Sequence, residues 1–533
     1  LNLHSNSAIA LLVSVSLLSI LATIDTQPVY AVTWTPPVLV PMDFALTVGP
    51  SITEDQIGRV WLAWAEKPFG GSTLEDVYFK YRNSFTGTWV NKVRITGPDN
   101  AIDTQPLIST LSNGTTMVVW STNRTGNREL FYRLYQGFSP VTGPIQLTSH
   151  PLDDRAPSVV QDRKGRIWVA WERANTTTTP IDAVDLYYKY FDGNAWSADF
   201  LLPVAMSSVY SERGPTIMQA KDGRVWIVWA SDEGGQRTLE LYGSNAGGML
   251  DRLPLTGVPW ATRVALTSDT KEDDNPVMVQ DREGTLWVFW QRDSATDGDI
   301  LQMNSLDNGA TWGRVTPFAS TTESESLPTA AMMSDRLIWV FWNRQNTTTG
   351  TKDILFSTSS PIIDIHDVGV SGLSGAPSFV RSGDAISITV SVSNYGDFSE
   401  NTVLTVKLNT TIIYTLSLSL LDGEIGRVIQ FTHQTSQGFW GRYVLQATVQ
   451  TVAGENLSNQ GDNSWTDGLF RVTPPGDVDL NGTVDILDAA ALAFAYGTTP
   501  GVPGWNPDAD IDHNDIIDIL DAAQLAFYFG ASI

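Results

Sequence analysis

Two stretches near the end of the chain carry the clearest chemistry. Residues 477–488 read Asp-Val-Asp-Leu-Asn-Gly-Thr-Val-Asp-Ile-Leu-Asp, and residues 510–521 read Asp-Ile-Asp-His-Asn-Asp-Ile-Ile-Asp-Ile-Leu-Asp. Carboxylate or amide oxygens occupy positions 1, 3, 5, 9 and 12 of both: Asp477, Asp479, Asn481, Asp485 and Asp488, then Asp510, Asp512, Asn514, Asp518 and Asp521. With the backbone carbonyls of Thr483 and Ile516 at position 7, each set is an all-oxygen shell suited to one Ca²⁺, so two Ca²⁺ are expected. Asp515 stands where the first copy has the turn residue Gly482; Asp enters the left-handed region more readily than most residues. Residues 476–533 hold ten Asp and no Glu, Lys or Arg. A solvated face rarely sets carboxylates at every second position, and the repeat at a fixed offset of 33 residues argues against chance.

A second set is more dispersed. Arg124, Arg173, Arg292 and Arg344 each follow a tryptophan by a few residues, and acids recur upstream at Asp103, Asp154, Glu212, Asp274 and Glu325. Guanidinium forks match carboxylate-bearing sugars, because two parallel N–H donors fit one carboxylate. Two readings stay open: a ring of repeats gathers these groups into a glycan or cation site, or they are ion pairs repeated because the units that carry them are duplicated.

Composition excludes other chemistries. The chain has 533 residues and a net charge of −25, which argues against a nucleic-acid surface. Cysteine is absent, so there is no disulfide framework, thiol nucleophile or Cys-ligated zinc. Five scattered histidines form no metal-binding pair.

The elements that must position these residues repeat. Six segments place a proline fourteen residues before a tryptophan: Pro50/Trp64, Pro106/Trp120, Pro157/Trp171, Pro215/Trp229, Pro276/Trp290 and Pro328/Trp342. A second tryptophan lies three residues earlier in five of them, with Met117 in its place in the other, and a glycine precedes the pair in five. Each unit reads strand, tight turn, strand. Positions i and i+3 of a strand face opposite sides, so the Trp-x-x-Trp strand must bury an indole on both faces. A propeller blade, packed between neighbours, does this; a two-layer sandwich leaves one indole wet. A third strand opens at Asp76, Glu129, Asp185, Glu240, Asp299 and Asp353, and Trp89, Trp196, Trp260 and Trp312 mark a fourth. The last unit has room for only three strands before Pro361. Thr33-Trp34 stands sixteen residues before Pro50, so residues 33–41 are expected to close the ring as the last blade's outer strand. The fold class is mainly β: a six-bladed β-propeller at 32–361, a β-sandwich, and a small all-α calcium-binding unit.

Ser305-Leu-Asp307-Asn-Gly309-Ala-Thr-Trp312 resembles the Asp-box (BNR repeat) of sialidase-like propellers, with degenerate relatives at Phe191–Trp196 and Thr86–Trp89. The resemblance implies a structural hairpin and bears on fold more than on catalysis. Sialidases carry an Arg-Ile/Leu-Pro motif in the first blade, and this chain has none in that blade.

Residues 362–472 change to alternating Ser, Thr, Val and Leu, as in Ala385-Ile-Ser-Ile-Thr-Val-Ser-Val-Ser. That period and length suit one immunoglobulin-like sandwich. Val392-Ser-Asn-Tyr-Gly396, Leu421-Asp-Gly-Glu424 and Asp462-Asn-Ser resemble the CARDB module, which implies a spacer or an adhesion unit. After a short linker at 473–476, residues 477–533 hold the two loops, each running into Asp-Ile-Leu-Asp-Ala-Ala-x-Leu-Ala-Phe and ending at Gly497 or Gly530. An EF-hand-like loop with only its exiting helix, in two copies, resembles a dockerin. The resemblance implies a cohesin-bearing scaffold as partner, met by loop positions 10 and 11, here Ile486, Leu487, Ile519 and Leu520. Polar pairs are common there, and core packing of one residue of each pair is the alternative. Near-identity of the halves permits two binding orientations.

Ala8–Ile24 is an uncharged apolar run followed by Val29-Tyr30-Ala31, which reads as a secretory signal over residues 1–31; an uncleaved anchor is the alternative. With the signal removed no membrane span remains. Seven Asn-x-Ser/Thr sequons, at Asn113, Asn123, Asn175, Asn346, Asn409, Asn456 and Asn481, fit an exported surface. The expected protein is secreted, extracellular or held at a cell surface through a scaffold, and presents a propeller that binds glycans or surface polymers. The alternative is a scaffold-docked glycoside hydrolase, whose catalytic residues the sequence does not reveal.

Overall fold

A computed structural model describes residues 32–532 apart from 43–45, 68–73, 98, 175–183, 204–209, 234, 245–259, 261–262, 294–297, 346–350, 361–364, 376–378, 436–439 and 458. The apolar stretch at 8–24 and the sequons at Asn175 and Asn346 lie outside the described residues. Among the described residues no helix is long and apolar enough to cross a membrane.

Each repeat folds as an antiparallel sheet. The third runs outwards from the ring axis through Asp154–Gln161, Ile167–Ala174, Val184–Phe191 and Phe200–Leu201. The six inner strands, Leu46–Glu54, Asp103–Thr110, Asp154–Gln161, Glu212–Gln219, Glu272–Gln280 and Glu325–Met332, contact one another in a closed circle. The tryptophan argument holds in detail. Each of six inter-blade cores takes the first aromatic or Met of one blade and the second Trp of the next: Trp61 with Trp120, Met117 with Trp171, Trp168 with Trp229, Trp226 with Trp290, Trp287 with Trp342, and Trp339 with Trp64. All twelve side chains are buried.

The ring closes with N-terminal chain. Val38–Leu39 pairs antiparallel with Lys352–Thr358, Val38 opposite Phe356 and Leu39 opposite Leu355. Trp34 bridges Ser359, and Val40 N donates to Ile354 O at 2.9 Å. The tryptophans expected to lie within the outer strands instead stand just ahead of them. Trp89, Trp196 and Trp260 bridge back to the third strand, and the outer strands begin at Val93, Phe200 and Val264. The indole fills the corner of the turn, so the marker is real but displaced by one turn.

The prolines explain the ring's interior. Proline cannot serve a ladder on both sides and is confined in sheets to edges and bulges. Each inner strand is an edge facing the axis, and each carries a register shift at its proline, between Arg155 and Ser158 in the third blade and Asp274 and Val277 in the fifth. The residue before the proline takes a positive φ in every blade: Gly49, Gln105, Ala156, Gly214, Asn275 and Leu327, at 47° to 64°.

A sandwich follows. Val368–Ser374, Ala385–Asn394 and Arg427–Gln434 form one sheet. Phe379–Arg381, Ser464–Thr473, Gly441–Val449, Glu400–Leu408 and Thr411–Leu420 form the other. Ile386, Ile388, Val390 and Val392 point into the shared core, as their period of two requires. The sandwich seats on the turns that link first to second strands. Lys221 Nζ reaches Asp367 Oδ2 at 2.7 Å, Arg282 reaches Asp397 at 2.8 Å, and Arg163 lies over the Trp465 ring. Among the described residues, the sandwich thereby covers one end of the ring.

The chain ends in two helices, α1 (Ile486–Ala495) and α2 (Ile519–Tyr528), packed around Val484, Leu492, Ile517 and Leu525. Arg381 of the sandwich pairs with Asp508, and Trp440 meets Tyr528 edge to face at 5.4 Å.

Candidate functional site

The acidic loops fold as their sequence dictates. Asp485 and Asp518 are N-caps of α1 and α2; each accepts the amide two residues on at 2.7 Å and completes a capping box with Asp488 or Asp521. Asp488 Oδ1 also accepts the amides of Val478 at 2.7 Å and Asp479 at 3.0 Å, which winds the loop around it. Gly482 has φ 95° and Asp515 φ 66°, so Asp does fill the glycine's place.

Among the twelve residues assigned to the two shells, the carboxylates at positions 1, 3 and 12 converge. One oxygen each from Asp477, Asp479 and Asp488 lie within 4.8 Å of one another, and Asp510, Asp512 and Asp521 do the same. Asn481 and Asn514 accept the amides of Thr483 at 2.9 Å and Ile516 at 2.8 Å, closing the turn at position 7. Burial and the like charges of Asp488 and Asp479 push Asp477 up to about 6, and its Oδ1 is buried without a hydrogen-bond partner. These residues fit a calcium ion: hard oxygens, clustered, and short of positive charge. Ile486, Leu487, Ile519 and Leu520 are 70%, 60%, 66% and 55% exposed, so neither member of either pair is a core residue. Phe494, Phe527 and Phe529 extend this apolar exposure along the helices.

The four arginines are held within their own blades. Arg173 forks onto Asp154 at 2.7 and 2.8 Å and also reaches Asp199 at 2.8 Å. Arg292 forks onto Asp273 at 2.6 and 2.7 Å. Arg124 Nη2 lies 2.9 Å from Asp103 Oδ1, and Arg344 Nε lies 2.9 Å from Glu323. The indoles of Trp120 and Trp290 donate to the same Asp103 and Asp273. The contacts follow the ion-pair reading: Arg173 and Arg292 each fork onto an acid of their own blade, while Arg124 and Arg344 each reach one through a single nitrogen. The acid that pairs in the fifth blade is Asp273; its neighbour Asp274 does something else.

Asp274 belongs to a group towards the end of the axis away from the sandwich, which sequence reasoning missed as a set. The bulges leave backbone amides that the next blade's ladder does not use, and side chains take them: Gln105 Oε1 accepts from Ala156 N at 3.1 Å, Glu172 Oε1 from Gly214 N at 2.6 Å, and Gln291 Oε1 from Leu327 N at 3.2 Å. Gln105 and the bulge residues Ala156, Gly214 and Leu327 line an axial cavity of about 430 Å³ together with the six prolines. Desolvation raises the carboxyls of Glu172 and Asp274 above their ordinary values. Glu172 is partly relieved by the Gly214 amide, Arg155 and Arg213, and Asp274 by Arg237 and the Asn275 amide. Each carboxyl lies beside a residue of the bulge, so the available signal was the residue next to each repeated proline.

The Asp-box is a hairpin lock. Ser305 Oγ donates to Asp307 at 2.8 Å and accepts from Gly309 N at 2.8 Å, while Thr311 N donates to Asp307 at 2.8 Å. None of these groups faces the axis.

No family model matches the sequence, and no curated protein does. Solved structures do match. A Dyadobacter fermentans protein of unknown function is 12% identical over 63% of this chain and 100% of its own, with a TM-score of 0.50. The Penicillium chrysogenum α-L-arabinanase complexed with arabinobiose is 14% identical over 61% and 98%, TM-score 0.46. The CARDB domain of a Pyrococcus furiosus protein, in complex with di-metal ions, is 26% identical over 21% of this chain and 98% of its own, TM-score 0.19. The first supports the propeller fold.

Proposed function

We propose that this is a secreted, modular protein that docks through a calcium-dependent, dockerin-type C-terminal module onto a cohesin-bearing scaffold, and that its propeller binds an extracellular glycan or surface polymer. The observation that carries the docking half is the twinned module: two loops with converging carboxylates, each followed by an exposed aliphatic pair. Calcium in each loop neutralises carboxylates that otherwise repel, and so fixes the helix that displays the pair. For the propeller half, the support is position. Among the described residues the sandwich covers one end of the ring, and Glu172 and Asp274 lie towards the other, which supports that end as the approach to the axis. Rings of amide and carboxyl groups such as Gln105, Gln291, Asn275 and Glu172 offer the donors and acceptors that sugar hydroxyls take up.

A second reading has its own observation. A glycoside hydrolase needs a carboxyl held protonated near neutral pH beside a second carboxylate, and Glu172 and Asp274 are two carboxyls with raised values towards one end of the ring. A panel of neutral and acidic polysaccharides, assayed for retention and for reducing ends, separates the two. Binding without release of reducing ends supports the first reading. Hydrolysis abolished by Glu172→Gln or Asp274→Asn, with retention kept, supports the second. Neither retention nor hydrolysis on any polymer contradicts both.

A further inference from the structure

The joint between propeller and sandwich buries three carboxylates that neither function uses. Asp367 immediately precedes the sandwich's first strand, Glu455 lies after Gly441–Val449, and Asp462 ends the short helix Gln460–Asp462. One oxygen from each lies within 4.8 Å of the others, and all three residues are at most 8% exposed.

Hydrogen bonding leaves the cluster unfinished. Glu455 is satisfied, accepting from Val452 N at 3.0 Å and Asn463 Nδ2 at 3.1 Å. Asp367 Oδ2 takes Lys221 Nζ at 2.7 Å, but Asp367 Oδ1 and Asp462 Oδ1 are buried with no partner. The Asn463 side chain, 6% exposed and bonded to the cluster through its Nδ2, leaves its Oδ1 unpartnered as well. Three orphaned oxygens among three carboxylates, only one of which bonds the Lys221 ammonium, is the reverse of what buried polar groups tolerate. Gly369 fits the same picture: a Cβ there would lie 2.7 Å from the Asp462 carboxylate carbon, so the strand comes close only because it has no side chain.

We propose that this cluster is a calcium site at the interdomain joint, with Asp367, Glu455, Asp462 and the Asn463 amide oxygen as ligands. Two oxygens on one Ca²⁺ at the usual 2.3–2.6 Å lie no more than about 5 Å apart, which the cluster meets. A dedicated, buried, oxygen-only cage favours Ca²⁺ over Mg²⁺, which keeps several waters. The ion would also tie the joint together. Asp367 offers one oxygen to the cluster and the other to Lys221, which itself donates to Asn459 Oδ1 at 3.3 Å and Arg282 O at 2.6 Å. Metal on the sandwich side thus orders the acceptor that the propeller's lysine grips. The rival account is a proton shared within the cluster.

The test uses the full chain with Asp477→Ala and Asp510→Ala, which disable the C-terminal loops. Equilibrium dialysis in millimolar calcium should find one more ion per chain in this variant than in the same variant carrying Asp462→Asn. Calcium should raise the melting temperature of the first and leave the second unmoved. Lys221→Met, which removes the competing ammonium, should tighten the remaining site about tenfold. Equal calcium counts with and without Asp462→Asn, or no effect of calcium on melting in either folded variant, overturns the proposal in favour of the shared proton.

Discussion

Gly530 donates its amide to the Val484 carbonyl at 2.8 Å, and Gly497 donates to Ile517 at 2.8 Å, so the end of each helix closes on the loop of the other repeat. Each pair maps onto the other by the 33-residue offset, which gives the module an approximate twofold axis. Ile486-Leu487 and Ile519-Leu520 are then equivalent surfaces. Replacing either pair by Asp-Asp should leave cohesin capture in place through the other orientation, and replacing both should abolish it. Loss of capture from one pair alone would show that the halves are not interchangeable.

The arginines make a stability prediction. Arg173 is buried and answers both Asp154 and Asp199, so Arg173→Gln leaves uncompensated charge in the wall between blades. A loss of about 3–5 kcal/mol is expected. Arg344 has one partner and is 29% exposed, so Arg344→Gln should cost about 1 kcal/mol or less. Denaturant midpoints of the two variants check this ordering; equal losses would contradict it.

Ring closure by the N-terminal strand makes its own stability prediction. Deleting residues 33–41 removes the strand on Leu355 and Phe356 and exposes the sheet edge of the last blade. The loss should be on the order of several kcal/mol, or the chain should aggregate through that edge. An unchanged melting temperature would contradict the closure.

Glu212 sits where other blades pair an acid with an arginine, but the facing residue is Ser231. Burial therefore pushes its carboxyl from 4.5 up to about 7. The folded state binds this proton more tightly than the unfolded chain, so the group's favourable contribution is full below about pH 4.5 and is lost as pH rises through 7. Glu212→Gln, which keeps an acceptor for Trp229 and can donate its amide N–H to Ser231 Oγ in place of accepting from it, should be about 2 kcal/mol more stable than the parent at pH 8 and equal to it at pH 4. Unfolding free energies at the two pH values decide.

The propeller was legible because its signal is chemical redundancy: an indole on each face of one strand has no other home, and Pro50 to Pro328 mark the edge on which proline is tolerated. Trp34 even stands in the outer-strand spacing although it lies at the far end of the chain. The converging acidic loops were legible for a similar reason, since carboxylates at positions 1, 3 and 12 are written in sequence order. The axial group was not. Glu172 and Asp274 come from different blades beside backbone amides freed by bulges; the repeated prolines mark those bulges, but no local pattern says which side chain takes the amide of Ala156, Gly214 or Leu327. The arginines misdirected for the same reason: Arg173 and Asp154 face each other across one hairpin, not across the ring.

The central claim is that calcium switches on docking. The most direct measurement is retention of the full chain on a panel of immobilised cohesin modules, in millimolar calcium and in excess chelator. The account predicts retention on at least one module in calcium, release on chelation, and none for the chain carrying Asp477→Ala and Asp510→Ala. Retention that survives chelator, or no retention on any module in calcium, would contradict it.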